Sequence, residues 1–151
     1  MGYEGVIKEI EKVMEQKGDR EDKLQQICHL LHKNIPHYNW VGFYMADEEK
    51  RELLLGPFVG EPTEHIKISF GRGICGQAAV EKATFIVQDV SKETNYLSCF
   101  HRVKSEMVVP IIRDGRMVAQ LDIDSHKINA FGEEDRRFLE EICKKIAILF
   151  D

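Results

Sequence analysis

Apolar residues recur at helical spacing between Tyr3 and Gln16, at Val6, Ile7, Ile10, Val13 and Met14, which predicts a helix with one buried face. After the breaker "KGDRED" the same period returns at Leu24, Ile27, Cys28 and Leu31. The pattern then switches. "NWVGFYM" and "RELLLGPF" read as strands joined by the acidic turn "ADEEK", and "HIKISF" alternates Ile66, Ile68 and Phe70 as a third strand. "ICGQAAVEK" predicts a short helix and "TFIVQDV" a fourth strand, followed by "SKETNYLSCFHRVKSE", which has no clear period. Aperiodic stretches this long inside a compact domain usually carry function. "MVVPIIRDGRMVAQLDIDS" places two β-rich runs around Asp114-Gly115, a strong hairpin signal. The ending "GEEDRRFLEEICKKIAILF" opens on acids, as a helix N-terminus favours, and carries Phe138, Leu139, Ile142, Cys143 and Ile146 on one face. This order predicts an α+β fold, a central antiparallel sheet with the terminal helices packed on one face.

A chain of 151 residues without repeat or linker fits a single domain over 1–151. Its net charge of −5 argues against nucleic acid or an anionic membrane as the main partner. No apolar run is long enough to span a bilayer, and "MGYEGVIKEI" has neither a signal-peptide pattern nor the Ser or Thr that myristoylation requires where Val6 stands. The expected location is cytoplasmic, where four cysteines stay reduced and a disulfide among them is catalytic or redox-sensing before it is structural.

"SFGRGICGQAA" holds Gly71, Gly73 and Gly76 in the order G-x-G-x-x-G, which admits two readings. One is a dinucleotide cradle, with Asp89 following the next strand near the place of a ribose-binding acid. The two-turn helix, the hairpin in place of a second βαβ unit and the short chain all weigh against it. The other is a tight strand-to-helix turn that places Cys75 in the first helical turn, where the helix dipole and Arg72 favour a thiolate. Cys28 and Cys143 lie on apolar faces and read as small buried hydrophobes. Cys99 lies in the aperiodic stretch beside His101, Arg102 and Lys104, a cationic setting that lowers a thiol's pKa. Cys99 and His101 also admit a Cys–His catalytic arrangement, but a hydrolase of that type needs an orienting third group, which the sequence does not identify. The spacing 28, 75, 99, 143 fits no zinc finger or ribbon, and no zinc site is expected among the cysteines. His32, His37, His65 and His126 read as surface or capping groups.

"LDIDS" puts Asp122 and Asp124 on one strand face, with Leu121 and Ile123 towards the core. That polar face is either solvated or, with Glu106 from the neighbouring strand, a convergence of carboxylates. Convergence raises the pKa of at least one acid and leaves it protonated near neutrality, as general-acid work requires. Trp40 and Tyr44 share a face of "NWVGFY" as core aromatics or as a pocket wall, and Gly42 between them leaves room of the kind a ligand uses.

Together "NWVGFY", "LLLGPFVGEP", "SFGRGICGQAA", "QDV", Cys99 followed by "SE", "VVPIIRDGR" and "LDIDS…FGEED" resemble the free methionine-(R)-sulfoxide reductases, proteins of the GAF fold. The resemblance runs from about Asn39 to the final helix. It implies reduction of free methionine (R)-sulfoxide without a metal or bound organic cofactor, with Cys99 the catalytic and Cys75 the resolving cysteine. It also implies that Glu106, Asp122 and Asp124 hold the polar groups of the substrate, that Trp40 and Tyr44 wall its methylthio end, and that a thioredoxin-like donor reduces the resulting disulfide. The chain departs from the family pattern in two places. "EPTEHIK" holds no cysteine, and bulky Phe100 and His101 follow Cys99. GAF domains also act as sensors, so a ligand-binding module and a Cys75–Cys99 redox switch are the alternatives. The oligomeric state is open, a homodimer included.

Overall fold

The alternating strands close into one antiparallel sheet in the computed structural model of the chain, which describes residues 2–97 and 102–150. Its strands are β1 (Trp40–Asp47), β2 (Glu52–Val59), β3 (Lys67–Ser69), β4 (Phe85–Val87), β5 (Ser105–Arg113) and β6 (Arg116–Ser125), in the spatial order β3-β2-β1-β6-β5-β4. Among the described residues four α-helices accompany it: α1 (Tyr3–Glu15), α2 (Arg20–Asn34), α3 (Gly73–Glu81) and α4 (Glu133–Ile146). The expected α+β architecture is the one observed. Asp114 and Gly115 both take positive φ, 52° and 77°, as the tight β5–β6 turn requires.

Strand pleating sorts the side chains to two sides. Val41 and Phe43 of β1, Leu121 and Ile123 of β6, and Met107 and Val109 of β5 meet the apolar stripes of α1, α2 and α4, where Ile10, Leu24, Ile27, Leu31, Phe138, Leu139 and Ile142 are buried. Cys28 and Cys143 belong to this core, and burial pushes both thiols up, as inert cysteines should be. The opposite face carries Trp40, Tyr44, Val108 and Ile68 against α3. Among the described residues no helix is long and apolar enough to cross a membrane.

A polar clamp ties the ends of the chain together, and the sequence did not reveal it. Asp135 Oδ1 accepts from the hydroxyls of Tyr3 and Tyr38, each at 2.7 Å, and lies 2.9 Å from His37 Nε2. Its Oδ2 accepts from the Gly132 N–H at 2.9 Å, the reach-back of a helix cap. His37 is therefore a partner of a buried carboxylate and not the surface or capping group expected. Burial raises the Asp135 pKa, but the bonds from His37, Tyr38, Gly132 and Tyr3 outweigh it and bring the carboxyl down to about 2. A depressed acid contributes stability above its unfolded pKa of about 3.9 and loses it as pH falls through the folded value. Asp135→Ala, which strands the buried Tyr38 hydroxyl and the part-buried donors of Tyr3 and His37, should cost about 3 kcal/mol and lower Tm by roughly 6–12 °C at neutral pH. Asp135→Asn, which keeps the shape without the charge, should differ from wild type at neutral pH and converge with it between about pH 4 and pH 2. Thermal melts across pH measure both.

Candidate active site

The glycine turn before α3 is built to join two segments. Gly71 and Gly73 take φ of 89° and 66°, open to glycine at little cost. A Cβ on Gly76 would come within 2.7 Å of the Ser69 carbonyl oxygen, so only glycine lets the helix approach the end of β3 this closely. The side chain of Asn95 accepts from the Gly73 N–H and donates to the Gly71 carbonyl, both at 2.9 Å. Gln77 Nε2 then donates to the carbonyls of Gly73 and Asn95, at 3.0 and 3.1 Å. The N–H of Gly71 goes to Gly76 O and that of Arg72 to Ser69 O. A phosphate would have to displace these partners. Asp89, the candidate ribose ligand, instead caps a short 3-10 turn by accepting from the Ser91 N–H and hydroxyl. The dinucleotide reading fails on both counts. What the turn does is hold Cys75 over the sheet.

Register supplies the rest of the site. Across β1, β6 and β5, Trp40 faces Asp124, which faces Glu106; one step along, Gly42 faces Asp122, which faces Val108. Residues opposite each other in antiparallel strands share a face, so the three carboxylates point towards α3. Glu106, Asp122 and Asp124 are all buried, which removes the solvated-face alternative. The Cys75 thiol donates to Glu106 Oε2 at 3.8 Å, and its Sγ lies with carboxylate oxygens of Glu106 and Asp122 inside a 4.8 Å cluster. Burial pushes the Asp122 carboxyl up; it pushes Asp124 up further, helped by the charge of Asp122. Tyr44, Arg72, Cys75, Leu97, Glu106 and Asp122 line a cavity of about 10 Å³, room for one water. Trp40 and Asp124 stand one row along the sheet and are not among its lining residues.

Two sequence expectations need correction. The helix N-terminus does not favour a Cys75 thiolate: burial, then the charges of Asp122, Glu106 and Asp124, hold its pKa well above the ordinary thiol value. The roughly half-charge of a helix end is outweighed by desolvation and three acids. The space at Gly42 is not open to a ligand either. A Cβ there would come within 2.6 Å of Trp40 Cζ3 and 2.9 Å of Phe58 Cβ, because the indole folds back over the glycine and stacks on Phe58. Trp40 and Tyr44 are both buried and tether the segment 60–66: Trp40 Nε1 donates to Glu61 O and the Tyr44 hydroxyl to His65 O, each at 2.9 Å. Cys99 and its neighbour His101 lie outside the described residues.

Gln120 was missed, although it precedes Asp122 by the same two-residue step that singled out Asp124. It is buried on the acid face and donates through Nε2 to the Cys75 carbonyl at 2.8 Å, fixing the first turn of α3 to β6. Asn95 left no local signal; only the folded turn shows what it holds.

A model of the GAF domain matches residues 18–151. The chain is similar to the free methionine-R-sulfoxide reductase of Saccharomyces cerevisiae, at 44% identity over 110 residues covering 72% of this chain and 61% of that one. It is also similar to the free methionine-R-sulfoxide reductase of Escherichia coli, at 31% identity over 117 residues, 78% of this chain and 69% of that one. Among solved structures, the free methionine-R-sulfoxide reductase of Neisseria meningitidis in complex with its substrate matches at a TM-score of 0.92 and 36% identity, covering 98% of this chain and 87% of that one.

Proposed function

This chain belongs to the GAF domain family and, within it, to the free methionine-R-sulfoxide reductases, and from that premise we propose how its own residues carry out the reduction. The observation that carries the reading is a thiol 3.8 Å from one buried carboxylate and clustered with a second, whose pKa is raised. Burying acids beside a cysteine costs stability, and groups perturbed in this way cluster at reacting sites.

A protonated carboxyl of the Glu106, Asp122 and Asp124 cluster donates to the sulfoxide oxygen and makes the attached sulfur electrophilic. The remaining charge of the cluster attracts the amino group of a free amino acid. Cys99 supplies the nucleophilic sulfur. The sulfoxide S–O bond breaks and an S–O bond forms to Cys99, so the substrate sulfur gains two electrons, Cys99 loses two, and methionine leaves a sulfenic acid behind. Cys75 then attacks the Cys99 sulfur. A disulfide forms, the hydroxyl departs as water with the thiol proton, and Glu106 is placed to pass that proton on. A thioredoxin-like dithiol reduces the disulfide and completes the cycle in a reducing, cytoplasmic setting. Tyr44 walls the site, and Trp40 acts one row away by holding the segment 60–66. Methionine sulfoxide exceeds the cavity, so its walls part on binding.

The test supplies free methionine sulfoxide as separated R and S epimers, with thioredoxin, its reductase and NADPH. NADPH should be consumed with the R epimer and not the S. Binding of the R epimer without any methionine released would replace the enzyme by a sensor.

A further inference from the structure

We infer that Cys75, Glu106 and Asp122 form a site for one divalent cation of the zinc type, whose binding arrests the enzyme. The three donor atoms lie within 4.8 Å of one another, and the residues are 5%, 6% and 2% exposed. Zinc binds sulfur at about 2.3 Å and carboxylate oxygen at about 2.0–2.2 Å, which sets donors in a tetrahedron about 3.5 Å apart. The Cys75–Glu106 pair, at 3.8 Å, is already near that spacing, and closing the widest pair asks only for side-chain rotation.

A second observation points to a ligand. Asp122 Oδ1 is buried and has no hydrogen-bond partner among the described residues. An orphaned carboxylate oxygen is costly, and Asp122 lines the same small cavity as Cys75 and Glu106. About 10 Å³ is room for a single water-sized guest, and a bare cation is smaller still.

The donor set selects the metal. Magnesium and calcium take six or more oxygen ligands and gain little from a thiolate. One sulfur with two carboxylates suits a borderline ion such as Zn²⁺, with water in the fourth position. Binding displaces the thiol proton to solvent and changes no oxidation state. The cation and the Cys75 disulfide exclude one another, since each needs the same sulfur. The site itself stands independently of turnover; its inhibitory effect rests on the reductase reading.

Co²⁺ serves as the spectroscopic probe. Reduced wild-type protein should take up one equivalent in equilibrium dialysis and develop a thiolate-to-cobalt charge-transfer band in the near ultraviolet, which Zn²⁺ displaces. Cys99→Ser should keep the band and Cys75→Ser should lose it. Asp122→Asn and Glu106→Gln, which leave the thiol in place should Cys75→Ser fail to fold, should each weaken binding by at least about tenfold. Absence of the band in wild type, its survival in Cys75→Ser, its loss in Cys99→Ser, or unchanged affinity in both carboxyl variants overturns the site. Zinc should stop NADPH consumption and EDTA should restore it. Cobalt uptake by a protein whose metal-free form shows no turnover would sink the reductase reading alone; turnover of the metal-free form with no cobalt uptake would sink the metal site alone.

Discussion

Cys99→Ser should abolish even a single turnover of methionine formation, whereas Cys75→Ser should release one equivalent and then stall. The asymmetry follows from what each sulfur must do. The attacking sulfur has to be a thiolate when substrate arrives, and Cys75 is poorly suited: burial and three neighbouring acids keep its proton on. Cys99 is seven residues before Glu106 and is followed by His101, Arg102 and Lys104, groups that favour a thiolate. A resolving cysteine meets a different demand. It attacks a sulfenic acid already formed beside it, and Glu106, in contact with its sulfur, can take the proton at that moment. With Cys75 replaced, the sulfenic acid on Cys99 should persist long enough to be trapped by dimedone and seen as an added mass. Single-turnover chromatography of methionine with mass mapping measures both variants. The reverse pattern, a burst from Cys99→Ser and none from Cys75→Ser, would exchange the roles.

The sheet was legible because its signals are local. Two-residue alternation in "LDIDS" placed Leu121 and Ile123 in the core and the two aspartates opposite, and Asp114-Gly115 marked the turn that pairs β5 with β6. The helices followed from stripes such as Phe138, Leu139 and Ile142. Long-range effects were not legible. The sign of the Cys75 shift depends on carboxylates 31, 47 and 49 residues later in the chain, which no rule about helix termini contains. The Asp135 clamp joins residues 97 and more positions apart, and its donors sit on different elements. At Gly42 the alternation correctly put Trp40 on the same face, but not that the indole would lie back over the glycine. In each case the local rule held and a distant neighbour outweighed it.

Asp122→Asn should lower kcat/KM for free methionine (R)-sulfoxide by about 10²–10⁴-fold, the usual size of a lost proton donor, while making the protein more resistant to heat. Asp122 stands at the centre of the site. It lines the cavity, clusters with the Cys75 sulfur, and keeps one buried oxygen without a partner among the described residues. Asparagine fills the same volume and still offers an N–H, so ground-state packing is preserved. It cannot deliver a proton as the S–O bond breaks, and the loss should appear mainly in kcat, with KM less affected. The stability change runs the other way. Burial disfavours the charged carboxyl, so the neutral amide relieves a cost that wild type bears at neutral pH. Such opposed effects mark a position shaped for chemistry at the expense of the fold. A purely structural Asp122 would behave differently: its amide variant would lose activity only in step with stability, and kcat at a temperature well below the melt would stay near the wild-type value. Steady-state kinetics and thermal melts on the same preparation separate the two.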